Sequence, residues 1–178
     1  MARMAGRPGT PKAEPLYTPE ERERRDSTRW TLVQGILAPL QFVVFAISLA
    51  LILRYLVTGQ GLVAANASIV VKTLVLYTIM ITGSIWEKVV FGKYLFARAF
   101  FWEDMVSMLV LALHTAYLAC LFGEWLDHVA LMILALAAYA SYVVNAAQFV
   151  LKLRAARLSA ASASMDTAAS SLVLEVAR

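Results

Sequence analysis

Cysteine is almost missing from this sequence: Cys120 stands alone inside an apolar run. One thiol cannot build an intrachain disulfide framework, and a small buried or lipid-facing residue is the simpler reading than a reactive group. Histidine is nearly as scarce, with only His114 and His128, so no histidine-rich cluster exists. There is no glycine-rich nucleotide loop, no CxxC and no HExxH. Redox and phosphoryl-transfer chemistry therefore has little to stand on. Charge is thin as well, at 16% of 178 residues, where a soluble domain carries about a quarter.

What fills the space is apolar. Hydrophobic residues make up 61% of the chain, and the charges gather at its ends and in short connecting stretches. That is the distribution of a membrane protein. Its formal charge of +4 consequently points to membrane loops and not to nucleic acid. The N-terminus does not read as a cleaved signal. Pro8, Pro11, Pro15 and Pro19 precede a charged run from Glu20 to Asp26, and the first apolar stretch starts only near Trp30. Residues 1–18 are expected to be a disordered arm and 19–29 an interfacial segment. Residues 30–158 are expected to form the membrane domain, and 159–178 a flexible or weakly helical tail.

Crossing a hydrocarbon core takes about 20 mostly apolar residues in a helix. Four segments satisfy this: Trp30–Leu56, Ile69–Phe91, Phe101–Phe122 and Val129–Leu151. The short connections predict an all-α, up-down-up-down four-helix bundle. Arg22, Arg24, Arg25 and Arg29 precede the first span, Lys88, Lys93 and Arg98 surround the second connection, and Lys152, Arg154 and Arg157 follow the fourth. The other connections lack basic residues, with Arg54 and Lys72 read as lying at the adjoining helix ends. The bias puts both termini in the cytoplasm.

Polar residues in the spans line up. Gln34, Gln41 and Ser48 share one face of the first helix, and Thr73, Tyr77, Ser84 and Glu87 one face of the second. The third carries Glu103, Ser107 and His114 with Asp104 beside them, and the fourth Tyr139, Tyr142, Asn145 and Lys152. Four such stripes turned inward would make a polar pocket. Gln34, Ser48, Ser107 and Thr73 are better explained as hydrogen-bonding glue between helices. Ionisable groups are costly in a membrane and mark function more sharply. Glu87, Glu103 and Asp104 all fall near the cytoplasmic boundary. A solvated carboxylate at a helix start also accounts for Glu103, and a surface pair with Lys88 or Lys93 for Glu87. His114 falls near the bilayer middle, where a hydrogen bond to another helix is its bland alternative. Trp86, Phe91, Tyr94, Phe96, Phe100, Phe101 and Trp102 crowd the second connection. They fit an aromatic belt or a flat aromatic ligand.

Longer motifs are specific. Tyr17-Thr18-Pro19-Glu20, Trp30-Thr31-Leu32-Val33-Gln34-Gly35 and Lys72-Thr73-Leu74-Val75-Leu76-Tyr77 form one set. Ile85-Trp86-Glu87-Lys88-Val89-Val90-Phe91-Gly92, Ala99-Phe100-Phe101-Trp102-Glu103-Asp104, Leu113-His114-Thr115-Ala116-Tyr117 and Asn145-Ala146-Ala147-Gln148-Phe149 form another. With these, the chain resembles the bacteriochlorophyllide 3-vinyl hydratases of anoxygenic phototrophic bacteria, from about Leu16 to Leu158. The resemblance implies addition of water across the 3-vinyl group of chlorophyllide a or a close relative, giving the 3-(1-hydroxyethyl) pigment. It further implies an inner (intracytoplasmic) membrane location and no cofactor, the magnesium being part of the substrate.

Such a reaction needs a protonated acid, a base for water, and orientation. A carboxyl buried away from cations can keep its proton. Glu87 or Asp104 is the expected acid, with His114 or the other carboxylate, Glu103 included, as base. Tyr77, Tyr142, Asn145 and Gln41 are expected to hold water and the ring periphery, with Trp86, Phe101 and Trp102 against the macrocycle. Lys88, Lys93, Arg98 or Lys152 would pair with the pigment's propionate. His114 has a second expected role as a ligand to the pigment magnesium. A homo-oligomer, or contact with other pigment-synthesis enzymes, is compatible with so small a bundle. The rival readings are a non-catalytic pigment carrier or assembly factor and, more distantly, a proton-coupled transporter, which the lack of an internal repeat disfavours.

Overall fold

Helix boundaries in this chain follow from its capping residues. In the computed structural model, which describes residues 16–176, Thr18 opens the first helix. Its hydroxyl accepts from the Glu21 N–H at 3.2 Å, and the Glu21 carboxylate accepts from the Thr18 N–H at 2.8 Å. Pro19 fills the first helical position, where no amide partner is needed. This helix, α1 (Pro19–Ser27), stops at Thr28, whose side chain then caps α2 (Arg29–Thr58) through the Trp30 N–H. Gly59 and Gly61 adopt left-handed φ of 69° and 89° and turn the chain into α3 (Leu62–Phe91). Gly92, at φ 81°, ends α3. α4 (Phe101–Gly123) follows, and α5 (His128–Val176) begins on Asp127, whose carboxylate accepts from the Val129 and Ala130 N–H groups at 2.9 Å each.

Four of these helices are long and apolar enough to cross a membrane, and no strand occurs among the described residues. α2 packs on α3 and α4 on α5; contacts of α2 with α5 and α3 with α4 join the pairs, and α1 lies against α3. Phe45, Ile52, Ile69, Val110, Tyr117, Met132, Ala135 and Tyr139 fill the seam. Leu32, Ile36, Phe42, Leu74, Ile81, Leu109 and Ile133 point outward and are exposed. An apolar exterior of this kind is what a lipid-solvated bundle presents.

Two boundaries differ from the sequence expectation. α3 starts at Leu62, seven residues before Ile69, because only Gly59–Gly61 interrupts the helix and nothing in Leu62–Ser68 does. Lys72 is thereby moved from a helix end to about 15 Å inside α3, where it is fully buried. α5 runs on to Val176: the segment after His128 has neither glycine nor proline, and its Ala-rich stretch favours helix. Tyr17, within the expected disordered arm, is buried against Phe91 and Phe100. The rest of that arm, residues 1–15, lies outside the described residues, as do 177–178.

Candidate active site

The end of the bundle where α3 passes to α4 gathers three buried carboxyl groups. Glu87 sits in the last turns of α3, while Glu103 and Asp104 occupy the first turn of α4. Gly92 and the bend through Lys93–Phe100 fold the intervening chain back over them. The Phe96 N–H donates to Asp104 Oδ2 at 2.7 Å, and the Ala97 N–H donates to Glu87 Oε2 at 3.3 Å. Phe96 is held at φ 58°, a left-handed backbone that costs a non-glycine residue about 1–2 kcal/mol. The Glu87 and Asp104 carboxyl groups lie close enough to each other to interact. Two neighbouring buried carboxyl groups are suited to sharing a single proton, since both cannot ionise without mutual repulsion.

Glu103 is turned elsewhere, towards α5. Its carboxylate receives the Lys152 ammonium at 2.6 Å, and its backbone carbonyl accepts from Asn145 Nδ2 and Ser107 Oγ, both at 2.8 Å. Lys152 Nζ also stands 5.1 Å from the Phe100 ring centroid. Beside the carboxyls lies an aromatic cluster of Tyr17, Trp86, Phe91, Phe100 and Phe149. Trp86 is anchored there by its Nε1–H donating to Thr31 Oγ1 at 2.9 Å. On the outer side Tyr94, Phe96, Phe101 and Trp102 are exposed, Trp102 by 70%. Lys88 stays at this rim, donating to the Gly92 carbonyl at 2.9 Å.

A second polar group occupies the middle of the bundle. His114 is fully buried and its ring stacks on Tyr139 at 5.7 Å. Lys72 Nζ lies 4.0 Å from the Tyr142 ring centroid and 5.9 Å from that of Tyr139. Gln41 is buried on α2. His114 is ten residues along α4 from Asp104, about 15 Å away, so it shares no site with the carboxyl pair. Tyr77 belongs to neither group; its hydroxyl meets Thr115 Oγ1 at 2.8 Å between α3 and α4. Gln34 and Ser48 act as interhelical glue, to Thr82 at 2.8 Å and Ser68 at 2.7 Å. An apolar cleft of about 270 Å³ between Val44, Ile47, Ala67, Ser68 and Val71 on α2 and α3 contains no ionisable group.

With this geometry in view, comparison with known families is decisive. Residues 17–155 match the model of the 2-vinyl bacteriochlorophyllide hydratases. This chain belongs to that family. A Rhodobacter capsulatus protein named 2-vinyl bacteriochlorophyllide hydratase is 62% identical over 164 residues, covering 92% of this chain and 95% of the relative. A protein of the same name from Cereibacter sphaeroides is 69% identical over 144 residues, 80% of this chain and 89% of the relative. No solved structure matches the chain. The matched region contains α1, α2, α3, α4 and the membrane part of α5, hence both polar groups.

Lys72 escaped the sequence reading. The signal was available: a lysine one residue before Thr73 on an apolar helix that nothing interrupts after Gly61. The backbone donors of Phe96 and Ala97 carried no sequence signal, since every residue but proline has an N–H.

Proposed function

We propose that this chain is a multi-pass membrane hydro-lyase that adds water across the vinyl group of a bacteriochlorophyllide-type pigment, with Glu87 and Asp104 as its acid–base pair. Membership of the hydratase family carries the reaction. The carrier reading is not favoured, because the family is named for a chemical step. The single observation that supports the site is the buried, mutually interacting carboxyl pair held by the Phe96 and Ala97 N–H groups.

The macrocycle is too broad to enter between helices whose axes pack about 8–10 Å apart. It lies on the outside of the bundle, flat against Phe96, Phe101 and Trp102, with its vinyl group turned to the carboxyls. One member of the pair, in its acid form, protonates the terminal vinyl carbon. The cation left on the inner carbon is conjugated with the macrocycle, so the substrate itself spreads the charge. Water attacks the inner carbon, and the other carboxylate takes the proton that water releases. The pair has then lost one proton and gained one, and transfer between Glu87 and Asp104 returns it to its starting side. Atoms balance without any cofactor: one water is consumed and a 1-hydroxyethyl group is formed. His114, enclosed in the bundle and stacked on Tyr139, takes no part in this scheme either as base or as magnesium ligand. Glu103 fixes Lys152 at the rim, where with Lys88, Lys93 and Arg98 it supplies positive charge for the pigment's propionate.

The short connections and the placement of Lys and Arg support an up-down-up-down course with both termini cytoplasmic. The phototrophic relatives support the inner membrane as its location. A macrocycle held on an outer face leaves room for a second copy, or a neighbouring pigment enzyme, to cover its other side. The test is mass spectrometry of the vinyl pigment after incubation with wild-type, Glu87→Gln and Asp104→Asn protein. Gain of one water by wild type alone supports the assignment; equal gain in all three removes the pair from the chemistry.

A further inference from the structure

We propose that the centre of the bundle is a water-binding site formed by Gln41 on α2, Lys72 on α3 and His114 on α4. All three side chains are shut off from the exterior, with exposures of 2%, 0% and 0%. Four of their polar atoms, Gln41 Nε2 and Oε1, Lys72 Nζ and His114 Nε2, have no hydrogen-bonding partner among the described residues. A buried polar atom left in that condition costs about 1–3 kcal/mol, and more when charged. Inside a membrane, ionisable groups that are kept are kept for a purpose. The surrounding polar groups have partners. Tyr139 donates to Ser48 at 2.6 Å, Ser48 meets Ser68, Thr73 donates to the Ile69 carbonyl at 2.8 Å, and Tyr117 donates to Asn66 at 2.8 Å. Four of the five unpartnered buried side-chain atoms among the described residues thus belong to this group, with Gln41 one turn from Phe45, whose ring meets those of Tyr139 and Tyr142. The fifth, Gln148 Oε1, lies nine residues along α5 from Tyr139.

The chemistry of those atoms selects the ligand. His114 Nδ1 lies 2.8 Å from the Val110 carbonyl, which can only accept, so Nδ1 carries the hydrogen and Nε2 of the neutral ring is an acceptor. Lys72 Nζ is a donor in either protonation state, and the Gln41 amide offers two N–H donors and an accepting oxygen. A carboxylate or phosphate would satisfy Lys72 and Gln41 Nε2 but would turn lone pairs on His114 Nε2 and Gln41 Oε1. A metal cation would suit His114 and oppose Lys72. Water both donates and accepts, and two to four polar partners are what a buried water needs. Tyr139 and Tyr142 close the site: Lys72 lies over both rings and His114 stacks on the first. Its water is held about 15 Å from the carboxyl pair, and the assignment is independent of the reaction proposed above.

Hydroxyl-radical footprinting of the full chain in lipid nanodiscs tests this, because radicals made from bound water oxidise the side chains touching it. His114 and Tyr139 should be labelled although neither is exposed, with the loop residue Trp125 as the solvent-exposed control. Met132, fully buried in the apolar seam, should stay unlabelled. Labelling of Trp125 without His114 or Tyr139 in wild type overturns the proposal, and so does equal labelling of Met132. In Lys72→Met and Gln41→Leu, labelling of His114 and Tyr139 should be lost while Trp125 is unchanged; retention in both variants overturns the assignment of these ligands. If Lys72→Met does not fold, wild type and Gln41→Leu decide it.

Discussion

Changing Asp104 to asparagine takes one carboxyl from the pair and little else. Asp104 Oδ2 accepts from the Phe96 N–H at 2.7 Å, and an asparagine Oδ1 accepts there equally well. Its Nδ2 can donate to the Glu87 carboxylate in place of the shared proton. The fold of Lys93–Phe100 over the pair is thus preserved, and with it the aromatic surface assigned to the macrocycle. Only proton transfer is lost. General acid–base help is worth about a hundred- to ten-thousandfold. Turnover should fall by that factor, about 3–5 kcal/mol of barrier, while KM stays near wild type. Glu87→Gln should lose a similar amount. The double variant should lose little more than the worse single one, since groups that act as a unit are far from additive. The assay is single-turnover conversion of vinyl pigment by purified protein in lipid, read by mass, with Trp fluorescence as the folding control. Wild-type turnover in both folded amide variants would refute the acid–base reasoning. A raised KM with unchanged turnover would show instead that the pair only binds.

Trp102→Ala and Phe101→Ala should each weaken pigment binding by about tenfold with turnover nearly unchanged, since stacking on one aromatic is worth about 1 kcal/mol beyond area; a pigment titration reads this. Lys152→Met strips the ammonium from the buried Glu103 carboxylate and should cost about 1–3 kcal/mol in thermal unfolding, with Glu103→Gln/Lys152→Met milder than the single change. Gly92→Ala puts a Cβ on a residue at φ 81° and should cost about 1–2 kcal/mol, together with part of the activity, because Gly92 launches the chain that covers the carboxyl pair. Burial pushes the Tyr17 phenol above its usual range, against the opposing pull of Arg25, whose guanidinium lies 4.7 Å from the ring centroid. A raised folded-state value means that its contribution is complete below the ordinary phenol range near pH 10. It is lost as pH climbs from there through the folded value. Trp86 fluorescence should report loosening of Tyr17 above about pH 10, and Tyr17→Phe should lack that alkaline step.

Much of this architecture could be read from the residues. Four apolar runs of spanning length sit between charged ends, and each became a helix bounded by Gly59, Gly61, Gly92 or the Glu124 turn, with Pro39 carried inside α2. Glu87 and Asp104 were grouped because they flank one connection. The N–H groups of Phe96 and Ala97 that hold them are backbone donors that any sequence has. Glu103 and Lys152 are 49 positions apart, so their ion pair is a product of helix packing that periodicity does not contain. Lys72 was misplaced for a definable reason: its depth is set by where α3 begins. A charged residue near a glycine turn reads as a helix end until the seven residues from Leu62 to Ser68 are seen to be helical. His114 was read as lying near the bilayer middle and yet offered as base to the boundary carboxyls; ten residues of helical rise separate it from Asp104.

Hydration of the vinyl group is tested most directly by one measurement. Membranes containing this protein, and matched membranes without it, are incubated with the vinyl pigment, and the product is analysed by mass spectrometry. Gain of one water at the vinyl position, dependent on the protein, is the predicted result. Pigment recovered unchanged, although bound to folded protein, would contradict it.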